Sequence, residues 1–137
     1  LLADHCGQML FLVVRGEELL AWDARGLAVS GDALKARVPI AGSLLLRSAL
    51  EGCQERLVPR IEEPALRDLL ERTLFFDCTG PAFVLPLIVN RRGFGLALMT
   101  QLDEGFDARA PHLVELMKRV GYKLQIFFLN EMLSAPL

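Results

Sequence analysis

Apolar residues recur along this chain with two different periods, and the changes of period mark its elements. Met9 to Arg15 (MLFLVVR) is a β-rich apolar run, Gly16-Glu17-Glu18 is a turn, and Leu19 to Asp23 (LLAWD) resumes the extended pattern. So short a connection forces antiparallel pairing and predicts a hairpin. Arg25-Gly26 ends it, and Ser30-Gly31-Asp32 mark a loop before Ala36 to Ile40, a brief strand that Pro39 confines to a sheet edge or to the strand's own end. Ser43 can accept a hydrogen bond from the first free amides of a helix over Leu44 to Glu51, and Gly52 can take the left-handed conformation that stops it. Glu55 to Arg60 reads as a short edge strand. Glu62-Glu63-Pro64 then puts acidic residues and a proline where helix starts favour them, with Leu66, Leu69, Leu70, Thr73 and Leu74 following at helical spacing.

Phe83 to Thr100 (FVLPLIVNRRGFGLALMT) carries the strongest pattern, two strands flanking the polar turn Asn90-Arg91-Arg92-Gly93. Both strands are apolar on both faces, so helices or a ligand must cover each side of the sheet. Gly95 and Ala97 share a face and are small enough to let another element approach the backbone. From Arg109 to Met132 the period lengthens again: Pro111 stands near a helix start, and Leu113, Leu116, Met117, Val120, Leu124, Phe127 and Phe128 fall at helical spacing.

Composition narrows the class. The chain has 137 residues, the size of one domain, and 53% of them are apolar without counting Gly, above the roughly 45–50% that average chains reach with Gly included. Disorder is excluded, and the elements describe an α+β domain spanning 1–137. Fifteen Lys and Arg against seventeen Asp and Glu give a net charge of −2, so no basic stripe points to nucleic acid. No apolar stretch approaches the ~20 residues of a membrane helix. The three cysteines Cys6, Cys53 and Cys78 are far apart, which fits neither a disulfide scaffold nor a zinc knuckle and points to a reducing, cytoplasmic setting. With two histidines, His5 and His112, no multi-histidine metal site is expected. The chain begins at Leu1 without Met, which suggests a piece of a longer protein.

The order hairpin, edge strand, short helix, short strand, second helix, long apolar hairpin and C-terminal helix resembles the GAF domain, a sensory module related to PAS domains. The resemblance rests on the strand pair from Met9 to Gly26, the Val38-Pro39-Ile40 step into the Ser43-capped helix, and Leu85-Pro86-Leu87 followed by Gly93-Phe94-Gly95-Leu96 and then Phe106. It implies a central antiparallel sheet of about five or six strands flanked by helices, with a small-molecule cavity on the face the helices leave open. It also implies a regulatory domain of a bacterial-type signalling protein, controlling an attached output domain.

The cavity would be bounded by the sheet and by the stretch from Arg72 to Thr79, where Arg72, Phe76, Asp77 and Thr79 offer a cation, a stacking ring, an acceptor and a hydroxyl. Signal transfer would run through terminal helices that pair between subunits. Leu113, Leu116, Val120, Phe127 and Phe128 supply the corresponding apolar positions of a homodimer. A ligand-free dimerisation scaffold is the alternative. A second alternative is a thiol enzyme like the free methionine sulfoxide reductases, which place a catalytic cysteine in the region of Cys78. Those enzymes also carry cysteines where this chain has Gly42, Ser43 and Leu44, and catalysis is accordingly not expected. No cofactor is expected either: the Cys-His pair of bilin attachment is missing at Cys53 and Cys78, and so is the N-K-x-F-D-E signature of cyclic-nucleotide binders.

Overall fold

In a computed structural model, the described residues are 6–26, 36–74 and 76–134, with side chains described as far as 131. The Ser30-Gly31-Asp32 loop and His5 lie outside them. The chain runs β1 (Cys6–Arg15), β2 (Glu18–Arg25), β3 (Arg37–Pro39), α1 (Leu44–Glu51), β4 (Arg56–Val58), α2 (Pro64–Thr73), β5 (Ala82–Val89), β6 (Arg92–Leu102) and α3 (Phe106–Ser134). All six strands join one antiparallel sheet in the order β3-β2-β1-β6-β5-β4. Both short strands lie at its edges, as Pro39 and the brevity of Arg56–Val58 require. Pro86 fits inside β5 because β4 stops opposite Val84, leaving position 86 with a partner strand on one side only.

The central strands of the sheet are dry on both faces. Leu10, Leu12, Leu19, Val84, Leu96 and Leu98 pack under α1 and α2, while Phe83, Leu85, Leu87, Ala97 and Met99 pack under α3. Alternation along β5 and β6 sends neighbours to opposite sides, so a pair of strands apolar at every position acquires two separate cores. The resemblance placed the helices on one face; here they occupy both, because each face carries too much apolar surface to leave wet. In α3, Phe106 is the first residue and Pro111 lies inside the helix rather than at its start. Gly121 lets α3 settle on β5, since a Cβ there would lie 2.1 Å from the Ile88 carbonyl oxygen.

Turns and ends show finer differences. The β5–β6 turn is two residues, Asn90 and Arg91, both with positive φ (54° and 64°), the mirror-image turn that suits strand twist. Gly52 keeps right-handed dihedrals after α1 (φ −78°), and Cys53 takes the left-handed conformation instead (φ 50°). Glycine is still needed at 52, where a Cβ would lie 2.6 Å from the Ser48 carbonyl oxygen. Ser43 caps α1 through Leu46 N–H at 3.2 Å. The Glu63 carboxylate, at the threshold of α2, does not cap its own helix; it accepts from Ser43 Oγ and from Leu45 N–H at 3.1 Å. An acidic side chain read as favouring one helix start therefore serves another. Two bulges complete the sheet: the register slips between Phe11 and Leu12, leaving Trp22 without a partner in β1, and between Leu87 and Ile88, leaving Phe94 without one in β5.

Gly121→Ala tests the helix seat. The clash should cost about 1–3 kcal/mol while better helix propensity returns at most about 1, so urea unfolding should show a lower midpoint at unchanged slope. An unchanged or raised midpoint would mean that Gly121 does not set the α3–β5 spacing.

Candidate functional site

The stretch from Arg72 to Thr79 leaves α2 and runs to the start of β5, and the structure distributes its four candidate residues rather than converging them. Arg72, in the last turn of α2, points outward and pairs with Asp68 at 2.8 Å, one helical turn back. It lines a cavity of about 520 Å³ between β3 and α2, together with Val38, Ser43, Leu66 and Leu69. Phe76 is 1% exposed, and its ring belongs to the core under α1 and α2. Asp77 and Thr79 form a tight turn of their own, in which Asp77 Oδ1 accepts from Thr79 N–H at 2.9 Å and from Thr79 Oγ at 2.6 Å.

That turn is tied to the sheet by two residues the sequence pattern does not single out. Gln8 Oε1, on β1, accepts from Asp77 N–H at 2.8 Å and from Thr100 Oγ at 3.3 Å. Gln101 Nε2, on β6, donates to Asp77 Oδ2 at 3.1 Å. Hydrogen bonds from the Thr79 hydroxyl, the Thr79 amide and Gln101 hold the Asp77 carboxyl below its ordinary range. The network fixes the loop before β5.

The interior of the packing between the sheet and α1 and α2 is filled, and the 520 Å³ cavity beside Arg72 lies at its β3 edge. Leu10, Leu12, Leu46, Ile61, Leu70, Leu74 and Leu96 all have zero exposure. Side chains lining a void that admits water would retain accessible surface, so these described residues enclose none.

Cys78 is also fully buried. Burial pushes its thiol up to about 12, with Glu71 and Asp77 adding to the rise and Arg67 opposing it. Half-buried Cys6 is raised to about 11, again mainly by burial. A nucleophilic cysteine needs the opposite shift. Among the described residues no three His, Cys, Asp or Glu side chains group as metal ligands, and no helix is long and apolar enough to cross a membrane.

Of the five residues expected between subunits, Leu113 is buried against the sheet and Leu116 is half-buried there, whereas Val120, Phe127 and Phe128 are exposed at 47%, 54% and 38%. Phe94, set apart by its bulge, meets Phe128 at 5.8 Å between ring centroids.

Two outcomes follow for the thiols. At mild alkaline pH a disulfide reagent should modify exposed Cys53 first and Cys78 only as the protein unfolds, and native labelling undiminished in Cys53→Ser would contradict this. A cysteine ionises near its ordinary 9.0 when unfolded but near 12 at position 78 when folded, so its contribution to stability is complete below pH 9 and is lost as pH rises toward 12. Cys78→Ala should make the alkaline decline shallower, with Cys6 supplying what remains; an equally steep decline would refute the assignment.

No protein-family profile and no curated protein matches the chain. Solved structures do. The second GAF domain of DevS from Mycobacterium smegmatis is 17% identical at a TM-score of 0.69, with 94% of this chain and 87% of that one covered. A GAF domain/HD domain protein from Geobacter sulfurreducens is 17% identical at 0.63, covering 89% and 84%. The GAF domain of a two-component sensor histidine kinase from Bacillus halodurans is 18% identical at 0.62, covering 92% and 86%. With its six-stranded antiparallel sheet between helices, this chain has the GAF-domain fold.

Proposed function

We propose that the chain is a non-catalytic, cytoplasmic regulatory domain of a bacterial signalling protein, which forms a homodimer through the outer half of α3 and passes its state to an attached domain. The observation that carries this reading is the run Ile126-Phe127-Phe128-Leu129, all exposed at 38–54%. Successive helical residues point about 100° apart, so these four surround the helix and cannot all face its own sheet. Among the described residues, only Phe128 meets an aromatic ring on the sheet, Phe94. One turn of helix apolar all round needs cover beyond its own sheet, and a second α3 supplies the same apolar surface by symmetry. The sensor histidine kinase origin of structures with this fold supports placement beside an output domain, and the raised Cys6 and Cys78 thiols favour a non-catalytic role.

The filled interior favours regulation through assembly over a ligand enclosed within the core. In this reading Arg72 to Thr79 serves as support, anchoring the loop before β5.

Light scattering after size exclusion should give twice the chain mass at micromolar concentration. Ile126→Glu with Phe127→Glu should give a monomer with an unchanged circular dichroism spectrum, since both side chains are exposed. A wild-type monomer, or a double variant that remains dimeric, would overturn the assignment.

A further inference from the structure

A second surface feature lies at the end of the domain where α1 finishes and the β5–β6 hairpin turns. Arg47 on α1, Arg91 in the turn and Arg92 at the start of β6 line one groove of about 560 Å³, within the usual size of small-molecule sites. Val14, Ile40 and Leu50 also line it and give it apolar contact surface. Other arginines hold carboxylates, as Arg72 holds Asp68 and Arg25 holds Asp23. Arg47, Arg91 and Arg92 form no ion pair among the described residues, although Glu17 and Glu51 line the same groove. Three guanidinium groups against two carboxylates leave the groove with a net positive charge.

The backbone beneath these arginines is fixed. Gly93 allows the end of α1 to close on the hairpin, because a Cβ there would lie 2.8 Å from Leu50 Cδ2 and 3.1 Å from the Leu50 carbonyl oxygen. The Cys53 thiol donates to the Leu50 carbonyl oxygen at 3.6 Å and lies 3.8 Å from that of Arg91, joining the two elements.

We infer that this groove binds a small amphipathic anion, its oxyanion head held by Arg47, Arg91 and Arg92 and its apolar body laid against Val14, Ile40 and Leu50. Guanidinium matches carboxylate and phosphate alike, so the head is an oxyanion of either kind. The site lies outside the filled core and does not require the dimer.

Titration of the ¹⁵N-labelled chain with phenyl phosphate and with phenylacetate tests it, using benzyl alcohol and inorganic phosphate as controls. At least one aromatic anion should shift the amides of Ala41, Cys53 and Gly93 in a saturable way, and which one binds tighter identifies the head. Benzyl alcohol and inorganic phosphate should each bind about tenfold more weakly, the loss expected when a charge-assisted contact or the apolar contact is removed. Arg92→Gln and Arg47→Gln should each weaken binding about tenfold while leaving the thermal midpoint in place. Absence of shifts around the groove, equal binding of benzyl alcohol, equal binding of inorganic phosphate, or undiminished affinity in both glutamine variants would overturn the proposal.

Discussion

The β5–β6 hairpin governs this architecture because neither of its faces can tolerate water. From Ala82 to Leu87 and from Gly95 to Thr100 every residue is buried, and burying each large apolar side chain is worth about 1.5–3 kcal/mol. A sheet whose central strands carry that surface on both sides needs two covers. One is α3, seated on β5 by Gly121 and by Phe106 packed edge-on against Phe83 at 5.1 Å. The other is the pair α1 and α2, whose starts are tied together by Glu63 and Ser43. Strands β1 to β3 extend the sheet on one side and β4 closes it on the other, so the order of elements follows from protecting one hairpin.

Most of that frame was legible in the sequence because it is written in local pattern. Alternating and continuous apolar runs gave the strands, Pro39 and the brevity of Glu55 to Arg60 gave the edges, and Ser43 gave the start of α1. The two-faced cover was half-read: the apolar character of Phe83 to Thr100 demanded something on each side but could not say whether helix or ligand. Packing density decided it, and that depends on which leucines meet in space.

The candidate site was less legible for a related reason. Arg72, Phe76, Asp77 and Thr79 are neighbours in sequence, and a varied set of groups within eight residues resembles a binding stretch. Their surroundings are set by residues far away: Asp77 is held by Gln8, 69 positions earlier, and by Gln101, 24 positions later. No short pattern marks those glutamines. The same holds for Glu63, whose carboxylate reaches a helix start 18 residues back, and for Arg47, whose proximity to the Arg91-Arg92 turn arises only when α1 closes on Gly93.

That turn also stands between the two proposed surfaces, the outer half of α3 and the arginine groove. Its Asn90 N–H donates to Gln125 Oε1 at 3.2 Å, a polar tie between the sheet and α3 just before the exposed run that begins at Ile126. The next two residues, Arg91 and Arg92, line the groove on the side of α1. Arg91 and Asn90 both hold positive φ, a conformation that side chains other than glycine adopt at a cost. On the proposed reading, an anion drawn toward Arg91 and Arg92 sits beside the Asn90–Gln125 bond to α3, and any difference in its affinity between two placements of that helix becomes a bias on the exposed apolar run.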